Sequence, residues 1–400
     1  MIATLAVENY RSLRQLVLLL DPLTVVTGAN GTGKSSLYRT LRLLADAARN
    51  GAVAALAREG GLSSTLWAGP EVIGRAVREG RYPVQGVVRS KPAALRLGFS
   101  GDEFSYAIDF GLPAADSRLP VGGGRSAFAL DPEIKRECIW TGPVLRPAAV
   151  LCDRDHGIVR IRGDNRTWSQ PQPIRPYDSM LSEFADPGQA PEVLRVREQV
   201  RSWRFYDQIR TDAAAPARGS QVGTRTPVMS PDGADVAAAL QTIRENGDSA
   251  ALDQAIDLAF PGSRVAVESE GGGRLGLRLH QHGLLRPLGP AELSDGTLRY
   301  LLWVAALLAP RPAALLVLNE PETSLHRELL VPLAQLIVAA VATSQVIVVS
   351  HSQPLIDALH RASRHAEITA STIELVKDFG ETRVAGQDPL DAPAWRWPKR

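Results

Sequence analysis

The chain has 400 residues, of which 44% are hydrophobic and 22% are charged, and its formal net charge is +2. This composition is typical of a globular chain and argues against a disordered one. The near-neutral charge excludes any argument from overall charge for binding nucleic acid or an anionic membrane. Cys138 and Cys152 lie far from any Cys-x-x-Cys spacing, so they indicate neither a disulfide framework nor a zinc site, and we expect both to pack in the core. The N-terminus lacks an export-signal pattern, so we expect a cytoplasmic protein.

Apolar runs at residues 2–7, 14–20 and 23–27 predict strands, and the last run leads directly into a glycine-rich segment at residues 28–35. Leucines with helical spacing follow, so the order is strand, loop, helix. The segment matches Gly-x-x-x-x-Gly-Lys-Ser, in which successive backbone N–H groups and a helix N-terminus face a phosphate. We expect Lys34 to neutralise the β- and γ-phosphates and Ser35 to offer its hydroxyl to Mg²⁺. The predicted nucleotide contacts of this loop are Gly28, Asn30, Gly31, Gly33, Lys34, Ser35 and Ser36.

The region from about 50 to 180 is rich in Gly, Pro and short strand patterns, which predicts a largely antiparallel β lobe. Apolar residues recur every three or four positions between Pro191 and Arg210, which predicts an amphipathic helix at the start of a helical insertion. Two more helices are predicted in residues 234–260, followed by two strands. We therefore expect an N-terminal lobe at 1–180, a helical insertion at 181–262 and a C-terminal lobe at 263–400. The two lobes are predicted to form one composite α/β head.

The run Leu315 to Pro321 is an apolar strand that ends in Asn319 and Glu320, as expected for a buried strand that delivers a carboxylate to one edge of a sheet. Glu320 is the candidate general base that orients and deprotonates the attacking water. The less favoured alternative is a glutamate at a strand end that only caps a turn. The occurrence of Glu320 together with the phosphate loop favours catalysis.

Leu293-Ser294-Asp295-Gly296-Thr297 precedes an apolar helix, and a Ser and a Gly at a helix N-terminus form an anion site. An ordinary helix cap would have the same sequence, so the position of this segment shortly before Glu320 is what favours function. Ser294 and Gly296 are the candidate contacts.

Residues 329–349 carry no charge, but their spacing fits a helix followed by the strand 346–349 better than a membrane span. His351 comes just after this strand, where an imidazole could reach the γ-phosphate or the attacking water. A lone histidine is usually structural, so the strand-end position is what favours a functional role.

These four elements in this order resemble the ABC ATPase superfamily: Walker A at 28–35, signature at 293–297, Walker B at 315–320, D-loop at 323–326 and switch histidine at 351. The long separation between Lys34 and Ser294 is similar to the split heads of the RecF/SMC-like branch. Within that branch, residues 9–12, 319–326 and 348–352 look like the predicted RecF-like and OLD-like AAA family ATPases. The resemblance implies a P-loop head with a mixed or antiparallel β lobe and a helical insertion, which binds ATP and Mg²⁺ and dimerises around ATP.

The sequence departs from that pattern at Asn319, at His326 and in the signature segment, where Asp295-Gly296-Thr297 replaces the more common Gly-Gly-Gln. Asn319 stands where ABC proteins usually have an Asp that helps to hold Mg²⁺, so its contribution to the metal is weak or indirect and turnover is expected to be slow. His326 replaces the usual D-loop Asp.

Three functions fit the resemblance. The first is a clamp or switch in DNA maintenance or repair, in which the partner is DNA. The second is a sensor or regulatory ATPase of a phage-defence or toxin-type system that gates a separate effector protein. A transporter ATP-binding subunit is disfavoured by the long insertion, and no membrane partner is expected. A GTPase is disfavoured because none of the five lysines lies in an Asn-Lys-x-Asp motif, and a kinase would leave the signature and switch histidine as coincidences.

Two further features of the sequence concern the protein surface. Arg197, Arg201 and Arg204 would share one face of the predicted insertion helix and could contact phosphates, although a solvated face fits the near-neutral charge at least as well. After His351 only residues 352–400 follow, too few for the nuclease domain that OLD proteins often carry. The acidic residues of that tail are expected to lie on a solvated surface; they are Asp378, Glu381, Asp388 and Asp391.

Overall fold

The computed structural model describes residues 1–49, 51–70, 94–113, 127–163, 165, 167–184, 186–388 and 391–400. These residues form two compact units. The first comprises residues 1–20, 28–202 and 373–400, and the second comprises residues 21–27 and 203–372. Residues 71–93 and 114–126 of the predicted β lobe lie outside the described residues.

The strands are Ile2–Tyr10 (β1), Leu13–Leu19 (β2), Leu23–Thr27 (β3), Ala94–Gly101 (β4), Ser105–Gly111 (β5), Glu133–Trp140 (β6), Val150–Asp155 (β7), Ile158–Ile161 (β8), Gln172–Pro173 (β9), Arg204–Tyr206 (β10), Gln221–Val222 (β11), Arg264–Gly271 (β12), Arg274–His280 (β13), Leu315–Asn319 (β14), Gln345–Val349 (β15), Ala370–Asp378 (β16) and Glu381–Val384 (β17). The α-helices are Lys34–Ala47 (α1), Ala52–Arg58 (α2), Leu62–Thr65 (α3), Met180–Glu183 (α4), Pro191–Arg201 (α5), Val236–Asn246 (α6), Ser249–Ala259 (α7), Asp295–Leu307 (α8), Leu330–Ala340 (α9) and Gln353–His365 (α10).

The first unit contains an eight-stranded sheet in the order β2-β1-β4-β5-β6-β7-β8-β9, and every neighbouring pair is antiparallel. The register places Leu97 opposite Ile108 and Phe99 opposite Tyr106, so large apolar side chains face each other across β4 and β5. All seven residues of β5 are buried. The predicted antiparallel β lobe is confirmed in the described residues.

The helix α5 ends at Arg201, and Arg204 belongs to strand β10. The prediction that Arg197, Arg201 and Arg204 share one helical face is therefore wrong. The reason is local: the aromatic pair Phe205 and Tyr206 has strand propensity and pairs with β14 in parallel.

The second unit contains four parallel strands in the order β10-β14-β15-β3. The helices α6 to α10 contribute to one large apolar core with these strands, which includes the fully buried Trp303, Leu318 and Val348. The uncharged stretch at 329–349 forms α9 and β15, as predicted. No helix in the described part of the chain has the length and apolar character needed to cross a bilayer. The two strands predicted after the insertion, β12 and β13, form an antiparallel sheet with β11, in the order β11-β13-β12.

The two cysteines are buried free thiols, as predicted. The expectation for the acidic tail is wrong at Glu381, which is only 6% exposed. Its Oε2 lies 3.3 Å from an Arg383 nitrogen and 3.5 Å from Arg14 Nη1. The carboxylate of Glu381 is therefore paired inside the first unit and is not solvated.

Candidate functional site

The glycine-rich loop lies between β3 and α1, because β3 ends at Thr27 and Gly28 follows it directly. Three of its glycines have positive φ angles, +142° at Gly28, +80° at Gly31 and +108° at Gly33. Such angles are easily adopted only by glycine. They turn the backbone of the loop into the curled shape by which a P-loop directs its N–H groups toward an anion.

The helix α1 starts at Lys34, and no described side chain caps its N-terminus. The first N–H groups of a helix lack partners within the helix, so they and the helix dipole suit a phosphate. The Lys34 ammonium donates to the carbonyl oxygens of Gly28 and Ala29, which places the positive charge over the loop. Ser35 is exposed and Ser36 is half-buried. The donors, the charge and the shape of this loop fit a triphosphate with Mg²⁺.

A hydrogen bond from Thr382, which the sequence did not suggest, holds the glycine-rich loop in place. The Thr382 hydroxyl, in β17, donates to the Thr32 carbonyl at 2.7 Å and lies 2.8 Å from Ser12 Oγ. A Cβ added at Gly33 would come within 2.3 Å of Thr382 Oγ1. The hairpin of β16 and β17 therefore positions the loop, although it lies far from the loop in sequence.

In the second unit, two predicted catalytic side chains meet at the carboxyl ends of neighbouring parallel strands. Asn319 ends β14 opposite Val349, which ends β15. Glu320 and His351 follow these strands, and Glu320 Oε1 lies 3.5 Å from His351 Nδ1. The sheet register thus brings together a carboxylate and an imidazole that are 31 positions apart. Asn319 is half-buried.

The backbone of Glu320 is left-handed, with a φ of +47°, and its N–H donates to the Val349 carbonyl at 2.8 Å. Ser324 in the D-loop segment is also left-handed, with a φ of +64°. A non-glycine residue in this region costs on the order of 1–3 kcal/mol, and such residues persist where the surrounding contacts enforce them. The backbone of the turn from 320 to 324 is therefore strained at both ends, and the surrounding contacts hold it in that conformation.

Glu322 is a member of this cluster that sequence reasoning missed. Its side chain is 8% exposed, and its Oε1 accepts from Ser350 Oγ at 2.6 Å and from the His351 N–H at 3.4 Å. The same oxygen lies 3.7 Å from His351 Nδ1. The Glu-Pro-Glu sequence was visible, but nothing local indicated that the second carboxylate turns inward.

The signature segment is ordered by its own helix and by an arginine. Ser294 caps α8, because its Oγ accepts from the Thr297 N–H at 3.1 Å. Arg218 donates to Asp295 Oδ1 at 2.7 Å and to the carbonyl oxygens of Pro290 and Leu293. Sequence reasoning missed Arg218, because it lies in a segment rich in Pro, Gly and Ser, residues 213–232, whose composition predicts a loop.

One face of α8 covers the turn at 320–324. A Cβ added at Gly296 would lie 2.8 Å from the Ser324 carbonyl oxygen, so only glycine permits this approach. Seven residues later, Trp303 Nε1 donates to the Pro321 carbonyl at 3.0 Å. Arg299 lies between them on the same face. Burial lowers the pKa of Arg299, while the Glu322 and Glu320 carboxylates act to raise it, so the guanidinium lies within electrostatic reach of both.

A family model described as "AAA domain, putative AbiEii toxin, Type IV TA system" matches residues 23–358. The chain belongs to this family. No curated protein matches the sequence.

Among solved structures, the chain is similar to an SMC head bound to the C-winged helix domain of ScpA, at 14% identity and a TM-score of 0.51, with 96% of each chain covered. It is also similar to the SMC head domain from Thermotoga maritima, at 13% identity and a TM-score of 0.47, covering 97% of this chain and 99% of that one. The SMC head from Pyrococcus furiosus bound to the C-terminal domain of ScpA gives 13% identity and a TM-score of 0.48, with 96% and 95% covered. The first of these likenesses shows the fold, which is that of an SMC head, a P-loop NTPase. The resemblance and the fold class predicted from the sequence are confirmed.

Proposed function

We propose that this protein is a Mg²⁺-dependent ATPase that dimerises around ATP and serves as a slow nucleotide switch. The observation that carries the proposal is the pairing of Glu320 with His351 at the ends of neighbouring parallel strands, 3.5 Å apart. A general base must lie within hydrogen-bond reach of the proton that it takes, and the end of a buried parallel strand is a position from which a carboxylate can orient an attacking water.

In this mechanism the glycine loop binds the phosphates, with Asn30 at its exposed tip, and Lys34 neutralises their charge. The Ser35 hydroxyl would hold Mg²⁺, which would supply positive charge against the charge that develops on the phosphate oxygens. Glu320 takes a proton from the attacking water while the water oxygen forms a bond to the γ-phosphorus. The bond to the β,γ-bridging oxygen breaks, which yields ADP and phosphate.

Two features bear on the rate and on the assembly. Asn319 is neutral where related proteins carry an Asp, so we expect weaker hold on Mg²⁺ and slow turnover. At the N-terminus of α8, Ser294 is exposed and Gly296 is half-buried, and a helix N-terminus favours an anion. These two residues would contact the ATP held by a second copy, so that ATP would be bound by both copies at the interface of a homodimer.

The family description favours the second of the outputs predicted from sequence, a switch that gates a separate effector protein in a toxin-type system. The three-arginine face that could have supported DNA binding does not form. ATP-driven closure of the dimer and its opening on hydrolysis would then be what the effector protein senses.

The test combines Glu320→Gln with a matched control, Glu245→Gln, which changes an exposed glutamate that accepts a hydrogen bond from Gln241. Wild type and control should hydrolyse ATP slowly, while Glu320→Gln should lose hydrolysis and sediment as a dimer when ATP and Mg²⁺ are present. A monomeric Glu320→Gln variant under these conditions would reject the dimer.

A second arm distinguishes the output. ATP hydrolysis is measured with and without duplex DNA over a series of salt concentrations. We expect no stimulation. A rate that rises with DNA and falls steeply with salt would instead support the DNA clamp.

A further inference from the structure

Glu322 is a buried carboxylate whose position needs an explanation. Its side chain is 8% exposed, and burying a charge is unfavourable unless partners compensate for the lost water. The partners come from one place, the end of β15. Ser350 Oγ donates to Glu322 Oε1 at 2.6 Å, and the His351 N–H donates to the same oxygen at 3.4 Å. Glu322 therefore fixes the backbone at Ser350 and His351, which carries the imidazole.

The imidazole of His351 also faces Glu322. Its Nδ1 lies 3.5 Å from Glu320 Oε1 and 3.7 Å from Glu322 Oε1, so two carboxylates flank one ring nitrogen. An ionised carboxylate only accepts hydrogen bonds, whereas a ring nitrogen donates or accepts according to the tautomer. The flanking oxygens therefore favour the proton on Nδ1. The other ring nitrogen, Nε2, belongs to the same side chain, which is 59% exposed.

A purely structural tie between the turn and β15 would not require this arrangement. Glu322 Oε2 is buried and has no hydrogen-bond partner in the described residues. A neutral side chain with one acceptor would tie Ser350 and the His351 N–H without leaving a charged oxygen unpaired. The Glu322 carboxylate instead lies 3.7 Å from His351 Nδ1, and it acts to raise the pKa of Arg299 on α8.

We propose that Glu322 is the positioning residue of His351, which fixes the site of the imidazole through Ser350 and the His351 N–H and fixes its tautomer through Nδ1. Only the expected effect on kcat rests on the proposed ATPase function. Glu322 itself does not touch the reacting atoms; it acts through His351.

The test compares Glu322→Ala, Glu322→Gln and the control Glu245→Gln. Glu322→Ala should lower kcat by about ten- to a hundredfold, the scale of a small misplacement of a catalytic group, and should change KM for ATP by less than about twofold. Glu322→Gln keeps an oxygen that accepts from Ser350 and from the His351 N–H, so it should recover part of this loss. Because glutamine has nearly the shape of glutamate, this variant keeps the test valid if the alanine variant does not fold.

The second readout is the ¹⁵N spectrum of histidine-labelled protein, in which a His351→Gln variant assigns the His351 signals. Wild type should show His351 protonated on Nδ1, and Glu322→Ala should shift this signal toward a mixture of tautomers. Unchanged His351 signals and unchanged kcat in Glu322→Ala would overturn the proposal. So would equal losses of kcat in the Ala and Gln variants accompanied by equal losses of thermal stability.

The spectrum needs no ATP hydrolysis. A wild type that binds no ATP but shows the Nδ1 tautomer, lost in Glu322→Ala, would reject the proposed function and keep the positioning role. If the wild type hydrolyses ATP but its His351 tautomer does not depend on Glu322, the proposed function is kept and the positioning role is rejected.

Discussion

Replacing Gly33 by alanine tests how tightly the C-terminal hairpin holds the glycine loop. The φ of Gly33 is +108°, and a Cβ there would lie 2.3 Å from Thr382 Oγ1. Gly31 provides the matched control, because its φ is +80° but a Cβ there would meet nothing within 4 Å. Both substitutions place alanine in a left-handed conformation, and only Gly33→Ala also produces a clash.

The expected costs follow from these contacts. An alanine in the left-handed region costs about 1–2 kcal/mol, which is the whole effect expected for Gly31→Ala. At Gly33 the Thr382 hydroxyl must also move away from the Thr32 carbonyl and Ser12 Oγ. Losing two hydrogen bonds at about 1 kcal/mol each raises the expected cost to about 3–4 kcal/mol.

The assay is urea denaturation, with the change in midpoint interpreted at an unchanged m value. A double-mutant cycle with Thr382→Ala isolates the contact, because that variant already lacks the hydroxyl. We expect the double variant to be about 2 kcal/mol more stable than the sum of the single effects predicts. Equal costs for Gly33→Ala and Gly31→Ala, or a cycle that is additive within about 0.5 kcal/mol, would refute the reasoning.

Two further predictions concern the signature segment. Ser294→Asp should leave the urea midpoint close to wild type, because aspartate caps a helix as well as serine does, but its charge should repel a triphosphate. In a Glu320→Gln background the ATP-dependent dimer should therefore disappear from sedimentation profiles; a dimer that persists would contradict the assigned role. Arg218→Ala should lower the free energy of unfolding by about 2–3 kcal/mol, because it removes an ion pair with Asp295 and hydrogen bonds to two backbone carbonyl oxygens. A urea midpoint equal to that of wild type would show that Arg218 does not order the segment.

Local patterns sufficed for much of the fold. The strand, glycine loop and helix around Lys34, and the helix and strand within 329–349, are encoded by periodicities that span few residues. The meeting of Glu320 with His351 was also predictable, because parallel strands bring their carboxyl ends to one edge. The roles of the loop residues and of Ser294 stay predictions.

The residues that sequence reasoning missed depend on contacts between distant segments. Thr382 reaches Thr32 across 350 positions, and no periodicity in either segment encodes that contact. Glu322 was passed over because its burial depends on the register between β14 and β15. The error at Arg204 has the opposite origin: the charge spacing fitted a helix, and pairing of the following aromatic residues in the sheet overrode it.

The packing of α8 on the turn at 320–324 suggests how the proposed binding of ATP by Ser294 is coupled to the position of Glu320. Gly296 touches the Ser324 carbonyl with no side chain between them, so a displacement of the helix N-terminus passes to the turn without being absorbed by rotamer changes. Glu320 and Ser324, at the two ends of that turn, are both left-handed, and the strain of each is on the order of 1–3 kcal/mol. A second copy that pulls on Ser294 through shared ATP would thus bias the backbone that carries Glu320. Such a coupling makes hydrolysis depend on dimer closure, which suits a switch whose closed state must last long enough to be sensed, and a weak hold on Mg²⁺ at Asn319 would lengthen that state further.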